Sequence, residues 1–170
     1  CFVEVAPAAS HEGPALALTL GADGTLVVAD GSWRYVLGRG ASPIISAESG
    51  GRTFATAEGT RGLFVIDQQG RTASASAEGE TMLVEASGPV AACVRFEGPY
   101  ITEDGEELAR HITRVKLHAG RSGASITHTL VLSRDTNEVW FRDIGWELRS
   151  DLPGEASAIF NPSREDPTQT

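Results

Sequence analysis

Along much of this chain every second residue is apolar, and Gly, Asp, Asn or Pro interrupts the pattern about every ten residues. From Val90 to Glu97 the side chains of Val90, Ala92, Val94 and Phe96 fall on one face of an extended strand, while Cys93, Arg95 and Glu97 fall on the other. A helix would scatter the same positions around its axis, and no long stretch fits one. The pattern predicts an all-β chain.

Individual strands follow from the turn residues. Leu16, Leu18 and Leu20 alternate with Ala17 and Thr19, and Gly21-Ala22-Asp23-Gly24 returns the chain into Thr25 to Ala29 as a hairpin. Further strands are expected at Trp33 to Leu37 and at Ile44-Ile45, before a loop around Gly50-Gly51. The continuous run Leu63-Phe64-Val65-Ile66 reads as a strand covered on both faces. Arg71 to Ala77 mixes small and polar residues like an exposed edge strand, and Thr81 to Glu85 leads back to the core. In the second half, Gly105 turns the strand from Val90 into Ala109 to His118, Gly120 to Gly123 turns that into Ser125 to Leu132, and Arg134 to Asn137 leads into Val139 to Leu148. These four predict an antiparallel meander. About ten to twelve strands in all must close an antiparallel barrel or stack as a two-sheet sandwich to bury their apolar faces.

The 170 residues suit one domain with its own core, expected over 15–150 after an N-terminal segment 1–14. The polar, Pro-containing run from Asn161 to Thr170 makes 151–170 read as a linker or the start of a further domain, and hence the chain as a piece of a longer protein. With 14 Lys and Arg against 23 Asp and Glu, the net charge of -9 opposes nucleic acid and anionic membrane surfaces. No run approaches the roughly 18 apolar residues of a membrane span. Cys1 and Cys93 are too few for a disulfide framework, and Cys1 also suits a lipid-modified first residue.

Residues able to carry chemistry are scattered. His11, His111, His118 and His128 lack a short ligand spacing, so no metal and no cofactor is predicted, although His118 and His128 could meet across a hairpin. Asp143 and Glu147 share a strand face but lie about 13 Å apart, too far to act as an acid and base pair by themselves, and read as solvated or ion-paired surface carboxylates. No nucleophile elbow, P-loop or dinucleotide fingerprint is present. The strongest positive feature is a basic stripe: Arg110, Arg114, Lys116 and His118 share one face of a strand whose other face carries Thr113, Val115 and Leu117. An anionic sugar suits that stripe, while pairing with Arg95 and Glu97 of the neighbouring strand is the ordinary structural alternative. Trp33, Trp140 and Trp146 suit core packing by default, and Trp140 or Trp146 also suits the stacking face of a sugar groove.

Three segments in order carry a family resemblance: Val94-Arg95-Phe96-Glu97-Gly98-Pro99-Tyr100, then Arg114-Val115-Lys116-Leu117-His118-Ala119-Gly120, then Ile126-Thr127-His128-Thr129-Leu130. A closing strand such as Val139 to Leu148 follows them. Together they resemble the N-terminal β-domain, often described as a RIFT-barrel domain, of exo-rhamnogalacturonan-lyase-like proteins. The resemblance implies an accessory β-domain of a secreted or cell-envelope enzyme that packs on a catalytic helical barrel elsewhere in the parent chain. It also implies an acidic polysaccharide or oligosaccharide as ligand. A lyase needs a cation for the uronate carboxylate and a base for its C5 proton. Arg114, Lys116, His118 and His128 are of the right types, with Trp140 as a stacking ring; none is assigned a catalytic role. Two other readings remain, a free-standing carbohydrate-binding module and a structural β-domain on a cell envelope held through Cys1.

Overall fold

The computed structural model describes residues 13–150; Cys1, His11, most of segment 1–14 and the tail 151–170 lie outside the described residues. Twelve strands and no helix occupy the described residues, in two antiparallel sheets. The first sheet is a five-stranded meander of β1 (Ala17–Leu20), β2 (Leu26–Ala29), β3 (Trp33–Leu37), β4 (Ile44–Ser49) and β5 (Arg52–Thr56). The expected first hairpin forms with Leu20 opposite Leu26, its turn closed where the Gly21 amide donates to the Thr25 carbonyl at 2.7 Å. Gly50 and Gly51, at φ 57° and 75°, form the two-residue turn that puts Ser49 opposite Arg52. Both take a left-handed conformation open to glycine at little cost, so this pair encodes a hairpin, and β5 follows where only a loop was expected.

The larger sheet contains β6 (Leu63–Asp67), β7 (Thr72–Ala75), β8 (Thr81–Ser87), β9 (Ala91–Thr102), β10 (Glu107–His118), β11 (Arg121–Val131) and β12 (Phe141–Trp146). Its order is β11-β10-β9-β7-β6-β12, with β8 also on β9. The long β9 shares one edge between two neighbours: Ala92 to Glu97 pair with β8, and Tyr100 to Thr102 pair with β7. Pro99, which has no amide hydrogen, sits at the hand-over where that edge needs no donor.

Two expectations change here. β7 lies between β6 and β9 and is not an edge: Ala73 and Ala75 are its buried face, and small residues fit where the curled sheet packs on itself. The meander stops after β11, because β12 crosses to pair with β6, Ile144 opposite Val65 and Trp146 opposite Leu63. The apolar run of β6 needed a neighbour on that side, and β12 provides it.

Apolar burial forms two clusters. Leu26, Val28, Trp33, Tyr35 and Leu37 of the first sheet pack against Ala92, Val94, Phe96, Val115 and Leu117 of the second. The other cluster lies within the curl of the larger sheet, where Leu63, Val65, Ala73, Ala75, Tyr100, Leu108 and Ala109 are joined by half-buried Leu130, Phe141 and Trp146. Edge strands β11 and β12 thus reach the same interior from opposite ends of the strand order, so the larger sheet bends into a half-barrel. The domain is a sandwich along the first half of β9 and a half-barrel along the second.

Candidate functional site

Strand alternation directs His111, Thr113, Val115 and Leu117 of β10 inwards, and all four are buried. Two polar residues on an otherwise apolar face require partners. They find them in a connected group. His111 Nδ1 lies 3.1 Å from Thr113 Oγ1, which lies 2.8 Å from His128 Nδ1. The other nitrogen of His128 is 3.2 Å from the Tyr100 hydroxyl. His128 comes from β11, directly opposite Thr113, and is half-buried because β11 is an edge. The rings of His111 and His128 are near-parallel at 5.9 Å between centroids, and Tyr100 lies against His111 at 5.3 Å.

Glu80 closes the inner end. It belongs to the connection between β7 and β8 and is buried. Its Oε2 accepts the Gly40 amide of the first sheet's β3–β4 connection at 2.6 Å. Its Oε1 lies 3.4 Å from His111 Nε2. That separation suits an ion pair, yet neither atom makes a hydrogen bond. Burial dominates the electrostatics: it pushes the Glu80 carboxyl up to about 7, against the opposing pull of the Gly40 amide and Arg39. Burial, then His128 and Arg110, brings His111 down to about 4. His128 is also lowered by burial, while burial and the nearby Glu80 raise the Tyr100 phenol. We therefore take the pair as a neutral carboxylic acid beside a neutral imidazole in mildly acidic solution.

The five residues put forward from sequence separate into three places. Arg114, Lys116 and His118 lie on the outer face of β10, as the stripe predicts. Arg114 is committed to Glu85 of β8 through two bonds of 2.8 and 3.0 Å, and Arg110 to Glu107 at 3.2 Å. Arg95 pairs with Glu97. Lys116 and His118 remain exposed at the end of the strand. His128 is on the inner face, does not meet His118, which pairs with Arg121 at the turn, and has both nitrogens engaged inside the protein. Trp140 precedes β12 and is 57% exposed, its backbone tied to Gln68 in both directions at 3.0 Å. Strands β9, β7 and β6 separate its neighbour β12 from the basic stripe in the sheet order.

Of the remaining candidates, Asp143 is exposed on β12, and Glu147, Trp146 and Trp33 have structural partners. Glu147 is held by Arg61, whose Nε donates to Oε1 at 2.9 Å and whose guanidinium lies 4.0 Å over the Phe64 ring. Trp146 is half-buried, touches both core clusters and donates from Nε1 to Ser42 Oγ at 3.0 Å. Trp33 is buried in the first cluster. Among the described residues no group of three or more His, Cys, Asp or Glu could hold a metal ion, and no helix is long and apolar enough to cross a membrane. Sequence reading passed over Glu80, Tyr100 and Thr113. The available signal was His111 and Thr113 in line with Val115 and Leu117, two polar side chains on a face that alternation turns inwards.

Such an arrangement defines a β-sandwich domain with a polar network buried inside it and a paired charge ladder outside. The sequence profile of the family described as the PcRGLX-like protein central beta sandwich domain matches residues 32–161, and the chain belongs to that family. The match agrees with the rhamnogalacturonan-lyase-like resemblance of the three strand segments, and the domain it describes is the central sandwich. No curated protein matches the chain.

Proposed function

We propose that this domain is a non-catalytic support of a rhamnogalacturonan-lyase-like protein, packing on a catalytic helical barrel carried elsewhere in the parent chain. Its membership of a family described as a central β-sandwich carries the reading, since a central domain has neighbours. Exposed apolar side chains along the two edge strands and their connection support it: Ile126, Leu132, Trp140 and Ile144. Apolar flanks of this kind suit a domain–domain contact. On this reading the folded unit is 15–150, 151–170 leads towards the neighbour, and the parent acts on acidic polysaccharide outside the cytoplasm.

The test starts from the coding sequence on both sides of Cys1 and Thr170. The flanking domain is then expressed with and without this one, and unsaturated uronate products are followed with rhamnogalacturonan as substrate. Cleavage is expected from the flanking domain, strengthened by this one, with none from the 170-residue chain alone. Cleavage by this chain alone, or flanking sequence without a helical-barrel pattern, overturns the reading.

The exposed Lys116 and His118 favour a second reading, direct binding of an acidic oligosaccharide on the outer face of β10. Titration with oligogalacturonides at low salt tests it, because replacing both residues with Ala must then weaken binding, and added salt must do the same.

A further inference from the structure

The buried polar group forms an unbranched series of contacts: Glu80 Oε1, His111, Thr113 Oγ1, His128 and Tyr100 Oη, with successive separations of 3.4, 3.1, 2.8 and 3.2 Å. Three of these contacts are hydrogen bonds; the fourth, Glu80 Oε1 to His111 Nε2, is an approach that becomes a hydrogen bond only when the two side chains close by a few tenths of an ångström. Each link then holds one hydrogen, and each neutral imidazole donates from one nitrogen and accepts at the other. A series of that kind has two self-consistent directions.

We propose that the relay is a two-state switch in which the proton on Glu80 sets the direction of every hydrogen bond, and with it the tautomer that His128 carries at the half-buried edge of the sheet. With Glu80 protonated, its hydroxyl donates to His111 Nε2. His111 Nδ1–H then donates to Thr113, Thr113 to His128 Nδ1, and His128 Nε2–H to the tyrosine oxygen. With Glu80 ionised, every link reverses: Tyr100 donates to His128 Nε2, His128 Nδ1–H to Thr113, Thr113 to His111 Nδ1, and His111 Nε2–H to the carboxylate. The proton inventory differs by one, and that proton goes to solvent. Both histidines stay neutral throughout and exchange which nitrogen holds the hydrogen.

The charged and titratable groups around the relay leave Glu80 as the member that ionises near neutrality. Arg39, from the β3–β4 connection, donates to the Glu80 carbonyl at 3.5 Å and favours the carboxylate, against burial. Burial, then His128 on β11 and Arg110 on β10, disfavours an imidazolium at His111. Tyr100 on β9 is held protonated. Glu78, on the same turn as Glu80, is exposed. Because Gly40 occupies Oε2 from the other sheet, the Oε1 atom is directed to His111 in either state. The proposal stands on this geometry and is independent of the domain's role in a lyase-like protein.

Nitrogen-15 NMR of the 170-residue chain, labelled at histidine, tests it from about pH 5 to about pH 9. Nδ1 and Nε2 of a neutral imidazole have distinct shifts according to which is protonated. His111 and His128 are expected to interchange their patterns with one common midpoint near pH 7. Glu80→Gln, whose amide nitrogen takes the Oε1 position while its oxygen accepts from Gly40, is expected to fix both histidines in the low-pH pattern. Thr113→Val cuts the middle link, so His111 still responds and His128 does not. A single unchanged tautomer across the range, conversion to imidazolium, or interchange persisting in Glu80→Gln overturns the proposal. If Glu80→Gln fails to fold, the Thr113→Val pattern decides, since continued interchange at His128 in that variant also overturns it.

Discussion

Glu80 lies across β9 at Gly98, where a Cβ built on the glycine would come within 2.9 Å of the Glu80 Cβ and Cγ. The acid has little freedom to withdraw, because the Gly40 amide holds its carboxylate at 2.6 Å and its side chain is buried. Gly98→Ala therefore forces either the connection or β9 to shift, at a cost of about 1–3 kcal/mol. Gly123→Ala meets nothing within 4 Å and takes an ordinary backbone conformation, so it is expected to be near neutral. Urea unfolding of the two variants compares them directly, and equal midpoints would show that Glu80 is not packed on Gly98.

The same buried pair governs how stability depends on pH. Glu80 is raised from 4.5 to about 7, so its contribution is fully present below about 4.5 and is lost as pH rises towards 7. His111 is lowered from 6.5 to about 4, so its contribution is present above about 6.5 and is lost as pH falls towards 4. Where the ranges overlap the two slopes cancel, because the pair carries one proton in both states, on histidine when unfolded and on glutamate when folded. Glu80→Gln leaves the histidine slope, and stability should rise with pH from about 4 to 6.5 by on the order of 3 kcal/mol beyond the wild-type change. His111→Gln leaves the opposite slope, falling between about 4.5 and 7. His128, also lowered, adds a rising component to wild type and to both variants alike. Unfolding free energies at several pH values measure these slopes, and parallel profiles for all three proteins would contradict the buried pair.

The fold was legible where one strand carries its own pattern. The alternation of Val94 and Phe96 against Arg95 and Glu97 specifies both the strand and its buried face, and the Val94 to Tyr100 segment also carries the family resemblance. Partner choice is less local. Nothing within Val139 to Leu148 says that β12 pairs with β6, since that depends on an open edge seventy-odd residues earlier in the chain. Ala73 and Ala75 look like an exposed edge because alanine does not register as a core residue, yet a tightly curled sheet needs small side chains there. The site shows the same division. Alternation placed Arg114, Lys116 and His118 on one face, but the bidentate bond to Glu85 reaches across β9 from β8. Glu80 lies in a turn, where an acidic residue reads as solvated, and only the packing of that turn onto Gly98 makes it a buried group.

Trp140 and Trp146 look equivalent in sequence and differ in structure. Trp146 packs between both clusters and donates to Ser42, so Trp146→Ala is expected to cost about 3–5 kcal/mol. Trp146→Phe keeps the ring contacts but loses the indole donor, and should cost about 1 kcal/mol for the bond in addition to any repacking. Trp140 is 57% exposed and is anchored through its backbone, so Trp140→Ala should change the stability of this chain by less than about 1 kcal/mol. In the parent protein Trp140→Ala is expected to weaken the contact with the neighbouring domain. Denaturation of the three variants, followed by the same Trp140 substitution in the longer protein, separates a core role from a surface role.

Glu85 connects the outer charge ladder to the buried edge of β9 and allows both to be examined with one substitution. Burial, then the Glu85 carboxylate, raises the Cys93 thiol, whose Sγ donates to Glu85 Oε2 at 3.6 Å. Little thiolate forms at neutral pH, so a thiol reagent should label Cys93 slowly in the folded protein and rapidly in denaturant. Glu85→Gln removes the second cause and leaves burial, which is the larger, so labelling should quicken only a few-fold. Acceleration to the rate in denaturant would mean that β8 had detached from β9. The substitution also releases Arg114 from its bidentate partner and leaves it beside exposed Lys116. If the outer face of β10 binds acidic oligosaccharides, Glu85→Gln must tighten that binding, because an intramolecular carboxylate no longer competes for the guanidinium. Unchanged affinity with slightly faster labelling would leave the ladder as cross-strand pairing alone.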